Sequence, residues 1–176
     1  GPIGYLSSRG CPHRCSFCAI SHLYGKHWYY YSAERVVKEV RNLVNKYNLT
    51  SLSFGDDNFF VDFKRAEEIC DGIKDLNIKW TAFGRCDYFS KADNSLLKKV
   101  KESGCEWISF GAESGSQRIL DLIQKDITRE QIIETVKKCK ENGIEADFTF
   151  MTGIPGESIE DLKKTMKIFD EMWSIN

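Results

Sequence analysis

The chain has 176 residues, 41% of them hydrophobic, which is enough for one domain with a real core and excludes a disordered chain. Lys and Arg total 25 against 26 Asp and Glu, and the basic residues are scattered rather than gathered in a stripe, so nothing supports a nucleic-acid partner. No apolar run approaches the roughly 20 residues of a membrane span, and no leader-like segment opens the chain, so no membrane attachment is expected.

In chain order, short β-type runs alternate with helical patterns, the signature of βα units around a parallel sheet. Strands are expected over residues 3–8, 51–55, 78–84, 106–111 and 144–151. After the first strand, Ser32 is an N-cap for a helix burying Val36, Val37, Val40, Leu43, Val44 and Tyr47. A second helix follows Asp62 and buries Ala66, Ile69, Cys70, Ile73 and Leu76. A third starts near Asp93, with Leu96, Leu97 and Val100 inward and Gly104 as its stop. A short helix over 116–123 precedes a capping box, Thr128 with Gln131, that opens a helix carrying Ile132, Ile133, Val136 and Cys139. The last begins at Ser158 and is expected to pack Leu162, Met166 and Phe169.

Five parallel strands with right-handed crossovers curl into a barrel or stay open, and an open sheet leaves edges unpaired. The expectation is therefore an α/β fold, a truncated (β/α)6 barrel of about five βα units. Residues 1–176 read as one domain, a fragment of a longer protein with its flanking parts missing.

Seven cysteines is an odd number; three fall within eight residues while Cys70, Cys86, Cys105 and Cys139 stand alone. That is ligand clustering rather than a disulfide framework, and a reducing cytoplasm is the natural compartment. The loop after strand one reads Cys11-Pro12-His13-Arg14-Cys15-Ser16-Phe17-Cys18, a C-x3-C-x2-C spacing. A structural zinc site would need a fourth ligand from His13, His22, His27 or a distant cysteine. A [4Fe–4S] cluster held by Cys11, Cys15 and Cys18 would leave one iron open, a place to bind and activate a substrate.

Catalytic groups of an α/β barrel gather at the C-terminal ends of its strands. One rim collects the cysteine loop, then Gly55, Asp56 and Asp57, then Arg85, Cys86 and Asp87, then Glu113, Ser114 and Gly115, then Gly153, Ile154, Pro155 and Gly156. Each alone is ordinary turn chemistry; their agreement on one rim favours a site. Arg85 and Lys125 are candidate cations for a carboxylate, with a plain surface charge as the alternative. Cys70, Cys105 and Cys139 read as core, and Cys86 alone keeps a weak catalytic candidacy. His22 and His27 fall in an aromatic-rich segment read as a packed loop that shields the cluster.

The cysteine spacing, with the aromatic Phe17 beside the last cysteine, resembles the radical S-adenosylmethionine (SAM) superfamily. Ser8-Arg9-Gly10-Cys11-Pro12, Asp57-Asn58-Phe59-Phe60, the segment from Glu113 to Gln117, and Ile154-Pro155-Gly156-Glu157 resemble the subgroup whose members often carry an upstream cobalamin-binding domain. The likeness covers essentially the whole chain and implies a partial barrel of the radical SAM type. It also implies a [4Fe–4S] cluster whose open iron is chelated by SAM, and an electron that cleaves the sulfonium to a 5′-deoxyadenosyl radical. Gly55, Asp56 and Asp57 stand where many members carry Gly-Gly-Glu against the methionine amino group. Glu113 and Ser114 resemble the position for the ribose or methionine end, and Gly153, Ile154, Pro155 and Gly156 the segment against adenine. One departure lies at 28–32, where the subgroup usually shows arginines and this chain has Tyr29, Tyr30 and Tyr31.

The resemblance implies a reductant such as flavodoxin or ferredoxin, and cobalamin only through a domain absent from this chain. The substrate, a small molecule or peptide, and the choice among methyl transfer, cyclisation and rearrangement stay open. The alternative is a non-catalytic iron–sulfur or zinc module for binding or electron transfer, which would have no use for an acidic ribose contact and an adenine ledge.

Overall fold

In the computed structural model, which describes residues 3–175, the apolar runs form one five-stranded parallel sheet. Its strands are β1 (Ile3–Tyr5), β4 (Ser51–Phe54), β5 (Lys79–Gly84), β6 (Cys105–Glu113) and β7 (Glu145–Phe150), lying side by side in that order. Helices return the chain between them: α2 (Ala33–Tyr47) before β4, α3 (Phe63–Ile73) before β5, α4 (Cys86–Phe89) and α5 (Asn94–Glu102) before β6, α6 (Gln117–Leu122) and α7 (Arg129–Glu141) before β7, and α8 (Ile159–Ile175) after it. Among the described residues β1 and β7 pair on one side only, so the sheet is an open arc, as a truncated barrel requires.

Strand one is shorter than its apolar pattern. It leaves the sheet after Tyr5, and Ser8–Gly10 (β2) instead pairs antiparallel with Trp28–Tyr30 (β3), a small hairpin beyond the sheet. The cysteine loop and the five-residue helix α1 (Ala19–Leu23) lie between its strands, so the segment read as a shielding loop is in part a strand.

The helix starts follow the local capping chemistry. The side chains of Ser32, Asp62 and Asp93 accept from Arg35, Arg65 and Leu96 N–H groups, and Thr128 with Gln131 completes a reciprocal capping box. The core then assembles from Leu52, Phe54, Trp80, Ile108 and Phe110 of the sheet against Val36, Val40, Ile69, Ile73, Leu97, Val100, Ile132 and Val136 of the helices. Phe60, Phe89, Phe110 and Phe148 form a run of ring contacts with successive centroids 4.7–5.3 Å apart.

Helix α8 is rotated from its expected orientation. Its buried residues are Asp161, Thr165, Ile168 and Met172, whereas Met166 is 63% exposed, Trp173 84%, and Phe169 lies at the margin. Polar anchors decide the rotation. Asp161 accepts from Ser116 Oγ at 2.6 Å and Ser158 Oγ at 2.5 Å and pairs with Arg118, while Thr165 Oγ1 meets Ser114 Oγ and accepts from Gly115 N at 3.0 Å. Turning the apolar stripe inward would strand these buried groups, and an unsatisfied buried carboxylate costs more than an exposed methionine.

Arg118, Ser116 and Ser158 hold the Asp161 carboxyl well below the usual carboxylate range. Its contribution to stability is present above the ordinary carboxylate pKa and fades as pH falls toward the depressed folded value. Asp161→Asn is therefore expected to melt at a lower temperature than wild type at pH 7, with the gap narrowing progressively below about pH 4. Thermal melts across pH measure this; a gap that stays constant into acid would count against it.

Candidate cluster and cofactor site

The cysteine loop leaves β2 at the C-terminal rim of the sheet and is tied down along its length. Gly10 N donates to Asp57 Oδ2 at 2.8 Å, Ser16 N to Ile123 O at 2.9 Å, and Cys18 N to Cys15 O at 3.2 Å. Arg14 clasps Asp126 with two bonds of 2.8 and 2.9 Å. Cys11, Cys15 and Cys18 are all free thiols; Cys15 is buried and the other two half-buried. Burial pushes the Cys11 thiol up, and the neighbouring Cys15 and Cys18 add to the rise, with Arg85 opposing it.

Arg85 is the cation that lies against this group of sulfurs, its Nη1 3.4 Å from Cys15 Sγ. Among the described residues no three His, Cys, Asp or Glu side chains converge to hold a single metal ion. Three cysteine sulfurs on one short loop are the donor type that an iron–sulfur cluster takes.

The other rim residues sort by what they touch. Asp56 is fully buried and its two oxygens are engaged by Ser7 N, Ser7 Oγ and Ser8 Oγ at 2.5–2.7 Å, so it holds the exit from β1 in place. Asp57, two residues after the exposed Gly55, is the carboxylate on that turn that reaches solvent. Ser114 is buried and spent on Thr165 and Ser116 N. Glu113 and Lys125 form a buried ion pair, Nζ to Oε1 2.8 Å, with the Lys125 ammonium 5.9 Å from the Phe17 ring centroid. A Cβ on Gly111 would lie 2.2 Å from Glu113 Oε1, so the glycine leaves the space that this carboxylate fills.

Cys86, placed on the rim by sequence, is withdrawn from it. The residue is wholly buried in the apolar core, and burial pushes its thiol up to about 12, which leaves no nucleophilic thiolate near neutral pH. Arg85 likewise turns inward: its nitrogens meet Asp87 Oδ1, Lys125 O and Cys15 Sγ.

Beside the cysteine loop an open cleft of about 550 Å³ runs between Phe17, Leu122 and Ile123 on one side and Met151, Gly153, Ile154 and Pro155 on the other. A Cβ built at Gly153 would meet nothing within 4 Å, so the space beside the main chain there is open. Gly153 N donates to Glu157 Oε2 at 2.7 Å, which pins the turn that includes Gly156.

Sequence reasoning missed Arg65, 4% exposed, whose Nη2 donates to Ser7 O and Ser7 Oγ and whose Nε donates to Tyr31 O, tying α3 to the hairpin. Its position four residues before Ile69, on the buried face of α3, was the available signal. His13, named from the sequence as a candidate zinc ligand, instead shares a 3.1 Å hydrogen bond with Tyr88 beside the cysteines.

A parallel α/β rim that carries a three-cysteine loop beside an open cleft is the kind of place where enzymes of this architecture bind their ligands. Comparison with known proteins then specifies the family. The pattern of the radical SAM superfamily matches residues 5–169, and the chain belongs to that superfamily. Membership implies a [4Fe–4S] cluster and SAM as cofactors.

An uncharacterized methyltransferase of Pyrococcus horikoshii is 41% identical over 169 residues, covering 94% of this chain and 36% of that protein. The cytidylyl-2-hydroxyethylphosphonate methyltransferase of Streptomyces wedmorensis is 31% identical, covering 96% of this chain and 33% of its own length. The chain thus spans about a third of the length of these relatives. Among solved structures, the radical SAM methyltransferase TsrM of Kitasatospora setae, with cobalamin and a [4Fe–4S] cluster bound, superposes with a TM-score of 0.85 at 19% identity over 98% of this chain and 32% of that one.

Proposed function

We propose that this chain is the radical-generating core, a single domain over residues 1–176, of a longer enzyme that acts on an unidentified small molecule or peptide. The observation that carries the reading is that the loop bearing three free thiols also contributes Ser16 and Phe17 to the cleft whose other side is the main chain of residues 151–155. When bound, the reduced cluster supplies the electron that cleaves the sulfonium of SAM to a 5′-deoxyadenosyl radical.

The chain's own residues bind, orient and exclude water. Cys11, Cys15 and Cys18 would hold the cluster, with SAM bound beside it. Asp57 offers a carboxylate to the methionine ammonium. Glu113, one oxygen already held by Lys125, offers the other to a ribose hydroxyl. Gly153, Ile154, Pro155 and Gly156 form the ledge for adenine, and Phe17, Leu122 and Ile123 close the opposite wall against water.

Methyl transfer is the favoured outcome, because both sequence relatives described above are named methyltransferases. A low-potential carrier such as flavodoxin or ferredoxin, a cytoplasmic setting and a cobalamin domain elsewhere in the parent protein complete the proposal. Among the described residues no helix is long and apolar enough to cross a membrane.

The test is anaerobic reconstitution with iron and sulfide, reduction, addition of SAM and chromatography for 5′-deoxyadenosine. Formation of that nucleoside is expected. A loaded cluster with no product would overturn the catalytic reading in favour of a binding or electron-transfer module, and tightly bound stoichiometric zinc without iron would overturn the cluster.

A further inference from the structure

We propose that Arg85 raises the reduction potential of the cluster through a charge-assisted N–H···S bond to Cys15, an inference that rests on Cys15 being an iron ligand. Arg85 follows β5 directly and stands at the N-cap of α4. Its Nη1 lies 3.4 Å from Cys15 Sγ, and both residues are 6% exposed. The guanidinium is held at two further points, Nε to Asp87 Oδ1 at 2.9 Å and Nη2 to Lys125 O at 2.6 Å. Three bonds from one planar fork fix its orientation, so Nη1 cannot swing toward solvent. Among the described residues no side-chain donor is bonded to the sulfur of Cys11 or Cys18, so the N–H···S bond is made to one cysteine of the three.

The physical consequence follows from charge. One-electron reduction makes the thiolate-bound cluster more negative, and a fixed cation bonded to a ligand sulfur stabilises the reduced form more than the oxidised one. Burial magnifies the effect, because little water is present to screen it. Asp87 and the Lys125 carbonyl are positioning groups that act through Arg85. A lysine in its place would keep the charge but could not reach all three partners at once.

The test is an anaerobic redox titration, followed by electron paramagnetic resonance, of the [4Fe–4S]-loaded protein without SAM. Electrons come from dithionite through viologen mediators, and iron and sulfide are counted in each sample. At the potential that half-reduces wild type, Arg85→Met is expected to show a reduced-to-oxidised ratio about tenfold lower, a midpoint more negative by about 59 mV for one electron. Arg85→Lys should fall between the two. A fully loaded Arg85→Met with the wild-type midpoint would overturn the proposal.

Where the substitution prevents cluster loading, the wild-type protein still decides. Protein made with guanidino-15N-arginine should show a 15N coupling to the reduced cluster in pulsed resonance spectra, and its absence would also overturn the proposal. Wild type that assembles no four-iron cluster refutes the function proposed above, whereas a loaded cluster indifferent to Arg85 refutes only this role.

Discussion

Cys18→Ser is expected to lose cluster iron and to form no 5′-deoxyadenosine above background. A thiolate ligates iron at neutral pH, whereas a serine hydroxyl stays protonated and neutral, so one corner of the cluster loses its anchor. The loop itself should persist, because its contacts are made by other groups: Ser16 N to Ile123 O, Arg14 to Asp126, and Ser21 Oγ to Cys18 O at 2.8 Å. Cys139→Ser is the control, since Cys139 lies 2% exposed on α7 with no place in the loop. It should keep its iron and lose about 1–3 kcal/mol of stability for burying a hydroxyl in an apolar site. Iron and sulfide per chain after gel filtration measure the first effect, and thermal melts the second. Equal iron loss in both folded variants would refute the ligand assignment.

Lys125→Met carries the second large effect. Lys125 and Glu113 are 6% and 7% exposed and bonded at 2.8 Å, so removing the ammonium leaves a carboxylate buried without its counterion. Breaking such a pair costs about 3–5 kcal/mol, which in a domain of this size lowers the melting temperature by about 10 °C. Replacing both partners, Lys125→Met with Glu113→Gln, should recover much of the loss, because no buried charge is then left uncompensated. A double-mutant cycle by chemical denaturation measures the coupling. A single-variant cost below about 1 kcal/mol would show that water reaches the pair and that the rim is more open than its burial indicates.

Much of this architecture is legible in the sequence where the determining interaction is local. The caps at Ser32, Asp62, Asp93 and Thr128 depend on an oxygen and an N–H three residues apart. The cysteine spacing is legible for the same reason, since all three sulfurs belong to one eight-residue loop. The failures lie where a distant residue outranks the local pattern. The apolar stripe of α8 suggests burial of Met166, but Ser114, Gly115 and Ser116, some 45–51 residues earlier in the chain, turn Asp161 and Thr165 inward instead. Ser7 and Ser8 look like the end of a strand, but Asp56 draws them out of the sheet. Cys86 looks exposed because it follows a strand, and a short helix turns it into the core.

By itself the sequence determined the alternation of strand and helix, the helix starts, the three-thiol loop and the family likeness, because period, capping and ligand spacing all act over a few residues. Only the tertiary structure decided which rim residues stay open and which serve the scaffold. It left Asp57 and the backbone at Gly153 open, engaged Asp56 with Ser7 and Ser114 with Thr165, paired Glu113 with Lys125 and aimed Arg85 at Cys15. Those assignments join side chains 12 to 70 positions apart, and the desolvation of charges brought together by folding selects among them.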